Sequence, residues 1–287
     1  MKPSFTSPWK FGGVSALPLL RRTWKGMSKD RIFDSAAALA YYLLLASFPL
    51  LIFVVSLMMA VASQGMLNSL LGQLGNVMPA DAYRLIFIAA NRLSHEPSGG
   101  FVTIGLIGTL WSASSGIASI MDGLNRAYEV EETRSFIKRR AISIALTAGL
   151  TLLTILGAGM LVASDKIGEL LSRAFPTTWT DWAGMLLSIV SGIVAMVAGF
   201  GLIHYFGPNL KARRKYFFTP GSIIGIFLFL LASFGLSEYI RISGGFSSKV
   251  YGAFGGVIVL LLWLYFLGLA ILMGGELNSE ITKASGS

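Results

Sequence analysis

Six stretches of this sequence lack Asp, Glu, Lys and Arg and are long enough to cross a lipid bilayer. A membrane-spanning helix needs about 20 apolar residues to cross roughly 30 Å of hydrocarbon. Lipid cannot satisfy exposed backbone N–H and C=O groups, and a β-barrel would show short alternating segments instead. The pattern predicts an all-α membrane protein, a six-transmembrane-helix bundle. The predicted spans are about 35–62, 99–121, 141–163, 183–206, 217–239 and 251–275.

Composition supports this class and narrows the chemistry. Hydrophobic residues make up 54% of the 287 positions, charged residues make up 13%, and the mean hydropathy is +0.69. An average soluble domain carries about 25% charged residues. The absence of Cys excludes disulfides, thiolate metal sites and cysteine nucleophiles. Only two His residues occur, which leaves little material for a histidine metal centre. We therefore expect no cofactor and no metal.

The distribution of basic residues predicts the orientation of the bundle. Most of the 23 Lys and Arg residues lie before span one, between spans two and three, between spans four and five, or after span six. Cytoplasmic connections carry the positive excess, so both termini are expected in the cytoplasm. The first apolar run begins too late and is too long for a signal peptide, so no cleavable leader is expected.

The segments outside the predicted spans are short. The six spans are expected to form one transmembrane domain over residues 34–278. Before it we expect a basic amphipathic arm over residues 1–33, and after it a short cytoplasmic tail over residues 279–287. In the arm an apolar face is expected from Leu17, Leu20, Trp24 and Met27. Such a helix is expected to lie on the anionic cytoplasmic leaflet. Helical patterns over 66–77 and 82–93 predict two further amphipathic surface helices.

Stripes of small residues indicate where helices approach each other closely, because small side chains let backbones come together in lipid. Span two carries such a stripe, and span four carries a similar one. The residues expected to pack there are Gly105, Gly108, Gly192 and Gly199.

Polar residues near the span ends predict a cavity open to the cytoplasm between spans one, two, four and six. Ionisable groups inside a membrane are candidates for function, although a carboxylate such as that of Asp34 also serves as a helix cap. Tyr41 and Tyr42 lie about 10 to 12 Å further inward at 1.5 Å per residue. The candidate lining or gating residues are Asp34, Tyr41, Tyr42, Ser112, Ser115, Asp122, Asn125 and Glu276.

Enzymatic and nucleic-acid readings have little support in the sequence. No P-loop, dinucleotide-binding fingerprint, HExxH motif or two-metal carboxylate cluster is present. The one catalytic constellation to weigh is Ser114 or Ser115 with His204, which would resemble an intramembrane serine protease dyad. Topology already explains the basic loops, so no nucleic-acid partner and no enzymatic activity are expected.

Three blocks of residues resemble the YihY / virulence factor BrkB family of bacterial inner-membrane proteins. The first is AAALAYYLLLASFP at 36–49. The second is WSASSG at 111–116 followed by DGLNRAY at 122–128. The third is YGAFGG at 251–256 with WLY at 263–265 and GELN at 275–278. The resemblance runs from about Arg31 to Asn278.

The resemblance implies a six-helix protein of the bacterial cytoplasmic membrane. The family's former designation as ribonuclease BN is regarded as a misassignment, and the resemblance supplies no catalytic residue. It implies a role in transport or handling of an envelope lipid or small solute. The alternative is a non-transporting membrane scaffold or envelope-integrity factor. Membrane lipids are the expected partners, and the glycine stripes permit a homo-oligomer.

Overall fold

The computed structural model describes residues 15–61, 68, 71–72, 75, 78–95, 102–171, 177–210, 216–242 and 254–286. Within these ranges the regular structure is helical and no strand is present. The helices are α1 (Ala16–Lys29), α2 (Ile32–Val61), α3 (Ala80–His95), α4 (Val102–Ala127), α5 (Phe136–Leu171), α6 (Thr177–Phe206), α7 (Pro220–Ile242) and α8 (Phe254–Gly286).

Four of these helices are long and apolar enough to cross a membrane. The segments are Phe136–Gly157 in α5, Ile189–Phe206 in α6, Pro220–Ile242 in α7 and Gly255–Ala284 in α8. Their outward faces carry large exposed apolar side chains, which a bilayer would cover and water would not favour. The predicted class, an all-helical multi-pass membrane protein, is therefore confirmed. α2 and α4 coincide with predicted spans one and two, and the count of six remains a prediction.

Helix α8 is the centre of the bundle. It packs against α1, α2, α3, α4 and α7, while α5 packs mainly on α6 and α4. Where α7 meets α8, the rings of Phe229 and Trp263 lie 5.3 Å apart, and the Trp263 indole N–H donates to Ser233 Oγ at 3.0 Å. Such a partner is what a buried indole requires.

A close contact between α7 and α8 involves glycines that the sequence did not predict at helix contacts. On α7, a methyl group at Gly221 would overlap the carbonyl oxygen of Gly274 on α8. One turn further along, a methyl at Gly225 would lie 2.8 Å from the carbonyl oxygen of Ala270. Small residues four apart on both helices therefore bring the two backbones together.

The glycines predicted at helix contacts behave differently. A methyl at Gly199 would make an ordinary 3.6 Å contact with Leu150, so α6 approaches α5 there without crowding. A methyl at Gly192 would meet nothing within 4 Å, so the expectation of close packing at Gly192 is corrected. Gly105 and Gly108 lie on α4, and their surroundings are outside the description.

The N-terminal arm forms α1, but its faces differ from the expectation. Met27 is buried in the bundle, whereas Leu17, Leu20 and Trp24 are exposed. α1 packs through Leu19 instead, against the last turns of α8. Residues of the predicted tail up to Gly286 are helical and belong to α8. The predicted four-residue apolar face is thus divided between the bundle and the surface.

The surface-helix prediction over 82–93 coincides with α3, which packs on α2 and α8. The helix predicted over 66–77 falls largely outside the described residues.

Candidate functional site

The bundle contains a cavity of about 420 Å³. This volume falls within the range of about 300–1,000 Å³ that is typical of small-molecule sites. Helices α2, α4, α5, α6 and α8 line it, together with residues on both sides of the start of α3. Representative lining residues are Leu43, Leu50, Ile117, Met196, Phe200 and Leu264.

The lining of the cavity is apolar even where its residues carry hydroxyl groups. Thr147 and Thr154 each donate to the backbone carbonyl oxygen four residues earlier, at 2.8 Å, and Ser47 donates three residues back at 2.7 Å. These bonds occupy the hydroxyl hydrogens within their own helices. The cavity therefore presents hydrocarbon to its contents, in contrast to the polar cavity expected from the sequence.

The cavity reaches the outside of the bundle on an apolar side. Leu50 on α2 and Thr154 on α5 line the cavity and are also exposed. On α5, Leu152 and Leu156 near Thr154 are exposed as well. An opening at this position would face lipid chains rather than an aqueous loop region.

None of the eight predicted lining or gating residues borders this cavity. Tyr41 and Tyr42 are 56% and 49% exposed, and their rings pack edge to face at 5.5 Å on the outer face of α2. Asp34 is exposed and pairs with Arg31 at 2.7 Å. The phenols therefore point away from the bundle interior, contrary to the expectation that one of them would face inward.

Ser112 and Ser115 are exposed on α4. Ser115 Oγ accepts a hydrogen bond from Arg140 at 3.4 Å. The guanidinium of Arg140 also lies 4.1 Å from the ring centroid of Trp111 and donates to that residue's carbonyl oxygen. This arrangement ties the beginning of α5 to α4 through a cation–π contact.

Asp122 and Asn125 join neighbouring segments at the end of the bundle where α4 ends and α5 begins. We call it the charged end, because Glu132, Arg134 and Arg139 also lie there. Asp122 pairs with Arg139 on α5 at 2.5 Å. Asn125 is buried and donates to Glu132 Oε2 at 2.9 Å, while its amide oxygen accepts the backbone N–H of Asn209 at 2.7 Å. Asp122 thus connects α4 with α5, and Asn125 connects α4 with the segments that follow α4 and α6.

The pair formed by Glu132 and Arg134 completes this junction. Arg134 donates to both carboxylate oxygens of Glu132, at 2.7 and 2.6 Å, and to the carbonyl oxygen of Gly207 at 2.9 Å. The bidentate hydrogen bonds from Arg134 lower the pKa of Glu132 to about 2. Sequence reasoning did not select either residue, because the charges of this connection were attributed to membrane topology.

Glu276 is the one candidate residue that the structure buries completely. It lies near the end of α8, against Gly26 of α1. Both of its carboxyl oxygens are buried without a hydrogen-bond partner, and so is Oδ2 of Asp30. Asp30 follows α1 directly, and burial, followed by the charge of Glu129, raises its pKa.

His204 is buried where α6, α7 and α8 meet. Its Nδ1 lies 2.9 Å from the carbonyl oxygen of Phe200, and its Nε2 lies 3.1 Å from that of Ile271. Among the described hydrogen bonds, the hydroxyl that His204 contacts is that of Ser222, at 3.3 Å from Nδ1. Ser114 instead donates to the carbonyl oxygen of Trp111 at 2.7 Å. The predicted pairing of Ser114 or Ser115 with His204 is absent from the described hydrogen bonds.

The contact around His204 continues into a polar cluster between α7 and α8. Ser222 shares a hydrogen bond with Thr219 at 2.7 Å, and Asn278 donates to Thr219 Oγ1 at 2.9 Å. The amide oxygen of Asn278 accepts the backbone N–H of Gly221 at 3.0 Å. Among the described residues no group of three or more His, Cys, Asp or Glu side chains is arranged to hold a metal.

Comparisons with known proteins agree with the resemblance noted in the sequence. The family described as Virulence factor BrkB matches residues 23–287. The chain is 33% identical over 253 residues to the "Putative ribonuclease-like protein YfkH" of Bacillus subtilis (strain 168), covering 87% of this chain and 90% of that protein. It is 26% identical over 265 residues to "UPF0761 membrane protein XAC0937" of Xanthomonas axonopodis pv. citri, covering 91% of this chain and 60% of that relative. No solved structure matches.

Proposed function

We propose that this protein, which belongs to the Virulence factor BrkB family, binds the hydrocarbon part of a membrane lipid in its apolar cavity and handles that lipid within the bilayer. The proposal includes six membrane spans with both termini in the cytoplasm of a bacterial cell. It involves no cofactor, no nucleic acid and no catalytic step.

The observation that carries the proposal is the apolar lining of the 420 Å³ cavity. A lipid chain that leaves the bilayer for such a space exchanges one apolar environment for another, so it gives up no hydration. A polar solute would instead lose hydration without finding partners, at a cost of several kcal/mol for each unpaired group. Among the candidates weighed from the sequence, a lipid chain is therefore favoured over a small polar solute.

The exposed mouth of the cavity adds a route of entry. Leu50 and Thr154 border both the cavity and the outer surface of the bundle. A lipid chain could enter the cavity at such an exposed part of its lining, from the surrounding bilayer and without crossing water. The headgroup would remain at the interface while the chain occupies the cavity.

The test compares two matched substitutions on neighbouring residues of α5. Thr151 is buried and lines the cavity, whereas Leu152 is 54% exposed and lies outside it. Thr151→Phe should fill part of the cavity, and Leu152→Phe should leave it open. Native mass spectrometry of protein released from lipid nanodiscs then reports the lipids that remain bound to each variant.

The proposal predicts a lipid adduct on the wild type and on Leu152→Phe, reduced at least fivefold on Thr151→Phe. Equal retention on both variants, in chains with equal thermal stability, would show that the cavity is not the lipid site. A bare wild-type chain would remove the proposal altogether.

A scaffold without transport is the second candidate, and the hydrogen bonds at the charged end of the bundle favour it. Asp122, Asn125 and Arg134 each connect separate segments there. If these residues serve only assembly, every loss of cellular function should parallel a loss of folding. A Thr151→Phe variant that folds with wild-type stability but loses its cellular function would favour lipid handling over the scaffold.

A further inference from the structure

Glu276 lies in an environment that disfavours a charged carboxylate. Its side chain has no solvent exposure, and α1 covers it where Gly26 passes over the carboxyl group. A methyl group on Gly26 would overlap Oε1 of Glu276, so the carboxyl occupies space that the absence of a side chain at Gly26 leaves open. The contact excludes water from that side of the group.

No hydrogen bond compensates for this burial. Both Oε1 and Oε2 of Glu276 lack a partner among the described residues. An ionised carboxylate without partners in a low-dielectric site is so unfavourable that such groups usually become neutral instead. A protonated carboxyl leaves only the smaller cost of an unpaired neutral group.

The surrounding charges do not supply a counter-ion. Lys29 pairs with Glu129 at 2.6 Å, and Lys283 pairs with Glu280 at 2.8 Å and with Glu129 at 3.4 Å. Both lysines are thus shared among other carboxylates. Asp30 adds a second negative group with an unpartnered buried oxygen.

The charges that act on Glu276 come from each segment packed around it. Asp30 acts from the end of α1, Glu129 acts from the segment after α4, and Glu280 and Lys283 act from α8 itself. Three of these four groups are acidic. Like charges within reach of each other favour a bound proton on one of them.

We propose that Glu276 is a proton-binding site, which holds a proton at neutral pH beneath the cover of α1. A proton fits better than a metal ion, because the described part of the chain offers no group of three ligating side chains. The site lies apart from the apolar cavity and does not depend on lipid binding there.

The experiment is infrared spectroscopy of the wild-type chain in nanodiscs, with ¹³C in the glutamate carboxyl groups, titrated with acid and base. A protonated carboxyl gives a C=O stretch that an ionised one lacks, and the isotope assigns it to glutamate. We expect this band at neutral pH and its loss at alkaline pH. Its absence at neutral pH in folded wild-type protein overturns the proposal, whatever the behaviour of the variants.

Two matched variants assign the band. Glu276→Gln should abolish it, whereas Glu280→Gln, one turn further along α8 and paired with Lys283, should retain it. Asp30→Asn should move the midpoint of the titration to lower pH, because a neighbouring negative charge is removed. A band that survives in Glu276→Gln, or that disappears when Na⁺, K⁺ or Ca²⁺ replaces an organic cation at constant pH, would overturn the proposal.

Discussion

Gly221 of α7 and Gly274 of α8 face each other so closely that neither position has space for a side chain. A methyl at Gly274 would lie 2.5 Å from the carbonyl oxygen of Gly221 and 3.1 Å from Nε2 of His204. Because the obstructing atoms are largely backbone, rotation of a side chain cannot relieve the overlap. The contact therefore fixes the approach of two helices of the bundle.

Gly274→Ala should destabilise the protein by about 2 kcal/mol or more, since overpacking of a tight contact typically costs 1–3 kcal/mol. The measurement is thermal unfolding in detergent, followed by circular dichroism. Gly192→Ala is the matched control, because its added methyl meets nothing within 4 Å. If both variants melt at the wild-type temperature, the close contact does not exist in solution.

Asn125→Ala should destabilise the junction between α4 and the segment after α6. The change leaves the backbone N–H of Asn209 without its acceptor and removes one donor to Glu132. An unsatisfied buried polar group costs about 1–3 kcal/mol. Ser112→Ala, at an exposed position of the same helix, should stay within about 0.5 kcal/mol of the wild type. If the two variants unfold at the same temperature, the hydrogen bonds of Asn125 do not stabilise this junction.

Acid should remove the stabilisation that Glu132 provides. Its pKa falls from 4.5 to about 2 on folding, so the ionised form is favoured in the native state. That stabilisation is complete above pH 4.5 and is lost as the pH falls from 4.5 to about 2. The melting temperatures of wild type and Glu132→Gln should therefore converge over this interval. A constant difference between them down to pH 2.5 would exclude this coupling.

The sequence predicted the helical membrane class because long apolar runs have one economical solution in lipid. The same apolar runs could not reveal which way individual side chains point. At least one of Tyr41 and Tyr42 was expected to face the bundle interior, since a phenol inside a bundle needs a partner, yet both lie on the outer face of α2. Their orientation depends on how α2 packs against α4 and α8, which no local pattern encodes.

The close contact at Gly221 was missed for a related reason. The glycines of α7 and α8 stand among large apolar residues and form shorter stripes than those of spans two and four. Glu276 could be singled out, because a carboxylate beside a membrane span is rare. Its contact with Gly26 required the position of α1, whose Leu17, Leu20 and Trp24 suggested a different buried face.

The proposed orientation can be tested directly because the chain contains no Cys. Lys25 on α1 and Arg84 on α3 are both exposed, and the proposal puts them on opposite sides of the membrane. A membrane-impermeant maleimide added to intact spheroplasts should label Arg84→Cys and not Lys25→Cys. In inverted vesicles the pattern should reverse, and detergent should make both residues reactive. If both variants are labelled from the same side, α1 and α3 lie on one side of the membrane. The single crossing between them, and with it the proposed six-span arrangement, would then be wrong.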